Sequence, residues 1–536
     1  MVYAFTLPTT SPLSFQSFIS SSTHSSLPQV ASTTRHALRL ALKAHKRLPR
    51  GARQDAHLPT VLSALNDYIP SLFTISQVLS SRPVANDPSV STSGGNVFVE
   101  KLPSGETIEI TVRSEIESAW KPTLSAGNVL SIGSSSSGRK PLRARGGRIA
   151  GRGIDFEIAF TLTTLGCVLA RLARMGVAES LYASTTPTAE QRTAAMQTAT
   201  KYLLQASSVH DLLASSPAFA AATSSAVPDI DASTQSALAK LALSEATLLA
   251  VLKDDAYVVA CIQSRNPNDK EWMVRPPEIP KVRALVFARL CTRAAEYANQ
   301  AAAGLGAVGS SSGRTSRVDE ELIRYASVLE RVARARSCRF FGVDAELAGK
   351  VGEGIAWLRG ARSTLALRGG AGSSSAAPDE AAGKSKGGFS RLKREWTERR
   401  EEKKIGKDAG GGRSDKGPLA PGDDAGRDEE GRVIDMLETK WVRMNDTINT
   451  QLIPSPASLL TNIPSGRDIH QPPAPYKPPS LEEDELVRMR APPDENEQFH
   501  FGSDPDDSDE DTLPAEARGP PGAFPDRSET ASSAYY

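Results

Sequence analysis

From residue 154 to residue 365 the chain repeats one pattern. Stretches of roughly twenty residues carry apolar side chains at helical spacing, and Gly-, Ser- and Pro-containing breaks separate them. This recurrence constrains the fold more than any other feature. Each amphipathic helix must bury its stripe on a neighbour, so the series implies stacked helical pairs. The spacing predicts helices over 154–175, 190–213, 233–252, 281–303, 318–336 and 345–365. Thr188 and Gln191 are placed to form a capping box at the start of the second. In the fourth, Val282, Val286, Leu290, Ala294 and Tyr297 share a face. Alanine recurs on these faces, which lets helix axes approach closely. The period is not exact, so the series is solenoid-like and not a consensus array.

Before this series, residues 1–27 are rich in Ser, Thr and Pro, with Phe5, Leu7, Phe15 and Phe18 interspersed. That suits an extended segment lying on a core. Helices are predicted over 32–45 and 58–79, with a kink or break at Pro70. The one clear β signal follows. Residues 97–102 and 106–112 alternate in polarity around a turn containing Gly105, which predicts a hairpin. Residues 125–153 read as a Ser/Gly/Arg loop.

After the series, residues 369–432 are dominated by Gly, Ser, Lys, Asp and Glu and read as a disordered insert with one short helix at 389–404. Val433, Leu437, Trp441, Met444 and Ile448 mark an amphipathic helix over 433–448. A Pro-rich strap follows to residue 479, then an acidic tail that reads as disordered. The expected organisation is a domain over 1–480, interrupted at 369–432, and a tail over 481–536.

Composition agrees with that division. Only 39% of the 536 residues are apolar, below the roughly 45–50% of ordinary globular domains. The net charge of +1 conceals −12 over residues 481–536 and +13 over the rest. The start lacks a basic n-region and a continuous apolar core, as a secretory signal would need. The longest apolar run, 158–170, falls short of the ~20 residues of a membrane span. Cys167, Cys261, Cys291 and Cys338 lie inside helical patterns without CxxC or metal-ligand spacing. They are expected to be free, buried thiols of an intracellular protein, soluble or peripheral to a membrane.

Catalytic signatures are absent from the sequence. The seven histidines show no HExxH spacing, and no GxSxG elbow appears, the one match in letters being the Ser/Gly run GSSSG at 309–313. His210, late in an apolar helix, is expected to be structural. The run RARGGRIAGRG (143–153) lacks the GK[ST] of a phosphate loop and the aromatics of an RNA platform. It reads as a basic loop, with an anionic membrane surface as the alternative. Phe389, Leu392 and Trp396 suit a membrane or partner helix, but Glu395, Glu398, Glu401 and Glu402 oppose an anionic surface and favour a solvated linker. Ser503 and Ser508 sit in the acidic run SDPDDSDED, which suits either acidophilic phosphorylation or a solubilising tail.

Six segments together resemble successive blocks of the BRO domain. They are FTLPTTS at Phe5, WKPTLS at Trp120, DFEIAFTLTTLGCVLARLA at Asp155, DASTQSALAKLALSEATLLAVLK at Asp231, KVRALVFARLCTRAAEYA at Lys281 and LETKWVRMNDTINTQLIPSPASLL at Leu437. Their order is preserved from about Tyr3 to about Pro479, apart from the insert. The resemblance implies a mainly α, boomerang-shaped domain with a helical-hairpin (TPR-like) solenoid core and a small N-terminal β element. It implies a non-catalytic adaptor with no cofactor, metal or nucleic-acid partner. The opening FTLPTTS, the lack of a coiled-coil arm and the short acidic tail are most similar to the branch serving fungal alkaline-pH signalling.

In that branch the implied partner is the C-terminal helix of a Snf-seven-type ESCRT-III subunit. Other pH-response (Pal/Rim) components such as PalA are implied beside it. The implied outcome is proteolytic activation of a pH-responsive transcription factor, with the protein cytoplasmic and recruited to the plasma membrane or endosome periphery. The family's partner groove falls on Leu248, Val286, Leu290 and Leu459. The alternative is a general sorting adaptor of the multivesicular body. Those relatives carry a long coiled-coil arm, and nothing after Leu481 is long or apolar enough to form one.

Overall fold

A helix that is apolar all round must be buried all round. Ile154–Leu181 is such a helix, with 21 buried residues running from Phe156 to Leu181. The body is built on it. The computed structural model describes residues 2–81, 96–125 apart from 103–104, 143–182 apart from 145–146, 187–263 apart from 218 and 220–226, 283–308, 317–366, and 424–490 apart from 472. The readings for the 389–404 helix, Ser503 and Ser508, and most of the insert and tail lie outside these residues.

The helices, in order, are α1 Leu27–Arg47, α2 Ala52–Asp55, α3 Leu58–Leu79, α4 Ile154–Leu181, α5 Ala189–Ser215, α6 Ala232–Leu252, α7 Ala256–Gln263, α8 Ala284–Ala307, α9 Glu320–Leu347, α10 Val351–Thr364, α11 Arg427–Met444, α12 Pro456–Thr461 and α13 Glu483–Arg488. The long helices α4, α5, α6, α8, α9 and α10 each pack on the next in sequence, as a helical-hairpin stack requires. The predicted capping box is present: Thr188 Oγ1 accepts from the Gln191 amide at 3.2 Å, and Gln191 Oε1 accepts from the Thr188 amide at 3.1 Å. α4 and α6 are long and apolar enough to cross a membrane, but those stretches are 100% and 78% buried inside the body.

Where α9 meets α10, Gly342 and Gly354 face each other. A Cβ on either would come within 3.0–3.1 Å of the other's carbonyl oxygen, and the Trp441 ring covers both. A larger residue at either position would force the two backbones a few tenths of an ångström apart.

The strands are β1 Thr9–Thr10, β2 Ile19–Ser20, β3 Asn96–Lys101, β4 Thr107–Val112, β5 Glu117–Lys121, β6 Arg143–Ala144 and β7 Arg148–Arg152. One sheet has the order β1-β5-β7-β6 and the other β2-β4-β3. The predicted hairpin pairs Val97 with Thr111 and Lys101 with Thr107.

Five expectations change. The 125–153 region is not all loop, because Arg148–Arg152 pairs antiparallel with Glu117–Lys121. Its short run of Arg, Gly and Ala carries little alternation, and its register comes from β5. Pro70 does not break α3, which runs unbroken because Val61, Leu65, Tyr68, Leu72 and Ile75 bury its face. The two helices expected at 318–336 and 345–365 meet at Ala348–Lys350, so residue 345 belongs to α9. Residues 427–432 are the first turns of α11, not part of a disordered insert. Residues 483–488 form α13, with Leu486 and Met489 buried and the Met489 carbonyl accepting from Ser26 Oγ at 3.1 Å.

Two ionic clusters join segments far apart in sequence. Glu157 on α4 is fully buried and accepts from Arg35 Nε (2.7 Å), Trp120 Nε1 (2.7 Å) and Tyr68 OH (3.1 Å). This ties α1, β5 and α3 to the central helix. At the other end Glu430 on α11 accepts from Arg336 Nε (2.9 Å) and Arg339 Nε (2.5 Å), while Arg339 Nη2 reaches Asp255 (2.5 Å). Burial opposes ionisation of both glutamates, but the arginines win and hold the carboxyls below their usual range.

Candidate functional site

A slot opens between α5, α6 and the strap. It is lined by Met196, Gln197, Thr200 and Lys201 from α5, Leu249, Ala250 and Lys253 at the end of α6, and His470 from the strap. The helical residues lie one turn apart, so each helix presents one ridge to the slot. Met196 and Leu249 are buried and make its floor, while Lys201 is exposed and Lys253 half-buried at its rim. Its volume is about 240 Å³ and no carboxylate lines it. That is below the roughly 300–1,000 Å³ of small-molecule sites. Shape and charge suit a ridge of side chains on an acidic helix better than an enclosed substrate.

The strap that brings His470 there is clamped on α8. The Arg467 amide donates to the Arg289 carbonyl at 3.1 Å, and Arg289 Nε donates to the Ser465 carbonyl at 3.1 Å. Asp468 accepts from Arg293 Nε at 2.8 Å and from Tyr297 OH at 2.6 Å. The Arg293 guanidinium also stacks 4.5 Å from the Tyr297 ring centre. Burial works against ionisation of Asp468, but these two donors keep its carboxyl below the usual range. Burial lowers the pKa of His470, so the ring is neutral at neutral pH and the positive charge of the slot comes from its lysines.

The four residues that the resemblance places in the partner groove differ in burial. Leu248 and Leu290 are 6% and 2% exposed and belong to the core. The sequence spacing put Val286 and Leu290 on one face, yet the structure divides them: Val286 is 38% exposed beside Leu285, and Leu290 points inward. Leu459 lies half-buried on α12, whose next residue Leu460 packs over Gly360 of α10. Of the four positions only Leu248 neighbours the slot, through Leu249. The slot residues escaped sequence reading because they come from three segments. Met196 and Thr200 look like ordinary stripe positions, and Lys201, Lys253 and His470 have no motif.

His210 is the structural histidine that was expected. It is buried, its Nδ1 lies 2.7 Å from Gln235 Oε1, and Gln235 in turn donates to Thr163 and to the Asp229 carbonyl. Burial pushes its pKa down to about 4. All four cysteines are free; Cys167, Cys291 and Cys338 are buried, with thiol pKa values pushed up to about 12. Cys261 is half-buried. Among the described residues no group of three or more His, Cys, Asp and Glu side chains is placed to hold a metal ion.

No protein-family model matches the chain. The pH-response regulator protein palC of Emericella nidulans is 58% identical over 539 residues, covering 100% of both chains. Three solved structures are similar at low identity. An ALIX BRO1–CHMP4C complex gives a TM-score of 0.46 at 12% identity, covering 89% of this chain and 96% of that one. A Bro1 domain described in terms of endosomal targeting gives 0.43 at 13%, covering 91% and 95%. ALIX with the SIVmac239 PYKEVTEDL late domain gives 0.47 at 12%, covering 92% of this chain and 51% of that one.

Proposed function

The chain belongs to the palC family of pH-response regulators, and from that premise we propose that it is a non-catalytic adaptor whose slot between α5 and α6 receives an acidic amphipathic helix of an ESCRT-III subunit. Seating that helix promotes proteolytic activation of a pH-responsive transcription factor. The protein acts in the cytoplasm, recruited to the plasma membrane or endosome periphery, with other pH-response components such as PalA beside it.

One observation carries the choice of surface: an open slot with an apolar floor, two lysines at its rim and no carboxylate in its lining. A helix docks through a few apolar anchors, and the charges that frame them set its orientation. Leu248 and Leu290 then act from beneath by holding α6 and α8 in place.

The test is a titration of the isolated C-terminal helix of a Snf-seven-type subunit against the full chain. Lys201→Glu with Lys253→Glu alters only the rim and is expected to weaken binding by roughly tenfold or more, mainly through loss of charge pairing. Val286→Asp on exposed α8 is the control and should leave binding unchanged. The opposite result would move the site to α8, and no binding by the wild type would remove this partner.

A further inference from the structure

The helix α1 contains no Asp or Glu along its 21 residues. Its inward arginine, Arg35, is consumed by Glu157. Arg39 and Lys43, half-buried, and Lys46 and Arg47, exposed, recur at three- and four-residue spacing, so they form one strip. Lys121, at the end of β5, and Arg148, at the start of β7, extend that strip onto the adjoining sheet. Lys46 and Lys121 are near enough for their side chains to interact, although both carry positive charge. The charge of Arg39 is the largest cause lowering the Lys43 pKa, ahead of burial and of Arg148 and Arg47. Among the described residues none of these six cations forms an ion pair. At the edge of the strip, next to Arg39 and one turn before Lys43, stands Leu40, a large aliphatic side chain 51% exposed.

Structural roles account for only part of this. Lys46 and Arg47 lie in the last turn of α1, where cations favour the helix dipole. Arg39 and Lys43 lie further back, and Lys121 and Arg148 are on strands. Six like charges on three elements raise the energy of the free protein unless a polyanion neutralises them.

We propose that this face of α1, β5 and β7 is a docking surface for an anionic membrane, with Leu40 entering the headgroup layer beside Arg39 and Lys43. Three observations select this occupant. The cations are spread over a helix and a sheet, so a planar array of headgroup phosphates meets them together. The exposed leucine gives an apolar contact that a solution polyanion does not use. Nucleic acid is disfavoured because no exposed large apolar side chain among the described residues is aromatic, so no base-stacking platform accompanies the charge. The surface lies on elements other than α5 and α6, and this inference stands whether or not the slot receives a helix.

The test is flotation of the full chain with phosphatidylcholine vesicles, with and without about one fifth phosphatidylserine. The wild type is expected to float only with the anionic vesicles, and to release as salt rises. Arg39→Glu, Lys43→Glu and Lys46→Glu together should lower partitioning by roughly a hundredfold, given about fivefold per cation. Leu40→Ser should lower it by a smaller factor without changing the salt dependence. These side chains lie outside the core, and an unchanged melting curve confirms folding. Equal flotation with neutral vesicles, no flotation by the wild type, or a triple variant that floats normally would overturn the proposal. So would capture by polyglutamate beads with no vesicle binding, which would assign the strip to an acidic protein.

Discussion

Two regions of the body bury a glutamate completely and treat it in opposite ways. At the α9–α11 junction, Glu430 meets two guanidinium groups and remains ionised below its usual range. At the start of α6's second half, Glu245 accepts from the Tyr3 amide at 2.9 Å and from Tyr325 OH at 2.9 Å, both neutral donors. There burial dominates, and the carboxyl pKa rises to about 7. Burial is the same in both regions, and the difference is whether a full cation sits within hydrogen-bond distance. One carboxylate fixes α11 permanently. The other fastens the N-terminal segment through a group that titrates near neutrality.

The contrast breaks most directly at Glu430. Glu430→Ala leaves Arg336 and Arg339 buried without their shared partner, and should cost about 3–5 kcal/mol in urea unfolding. A loss under 1 kcal/mol would mean that the cluster is incidental.

The pH dependence sharpens the contrast next. The raised pKa of Glu245 means that its folded-state advantage is complete below the unfolded value near 4.5 and is lost as pH rises through about 7. Stability should therefore fall across that window by up to about 1.4 kcal/mol per pH unit from this group. Glu245→Gln should flatten the curve there. The depressed pKa of Glu430 acts in the other direction, adding stability that disappears as pH falls through its folded value. An unchanged wild-type slope in Glu245→Gln would show that neutral donors suffice to keep the group at its ordinary value.

Trp120→Phe tests a smaller term. It removes one neutral donor from Glu157 while Arg35 remains, so the expected loss is about 1.5–3 kcal/mol, with the pH profile of unfolding little changed. The smallest effect belongs to Arg152, which pairs with Glu117 at 2.9 Å while 61% exposed. Arg152→Ala should change the unfolding midpoint by less than its experimental scatter, because exposed pairs are screened.

The helical stack was legible because periodicity in 154–365 is set by burial, and the same burial holds the helices in place. Thr188 and Gln191 were legible because a capping box is a local motif. The β7 strand was not, since its pairing depends on β5. The polar run before Val433 reads as solvent-facing, yet Glu430 is buried because Arg336 and Arg339, more than ninety residues earlier, pair with it, and Glu429 is buried with the Tyr182 hydroxyl donating to it. The site was harder still. Sequence periodicity separates inward from outward residues only coarsely, and it does not distinguish Leu248 from Leu249, both buried. A slot assembled from α5, α6 and a Pro-rich strap has no linear signature at all.

The same spacing has a consequence for synthesis. Arg336 and Glu430 are 94 residues apart, an interval a ribosome crosses in roughly 5–20 seconds. Throughout that interval Arg336 lacks its carboxylate and Arg339 has only Asp255. The N-terminal cluster, whose Arg35 precedes Glu157, is complete well before. The C-terminal cluster is therefore completed only once α11 has been translated. A product released early would carry exposed apolar helix faces and unmatched arginines, the kind of surface that chaperones and proteases recognise.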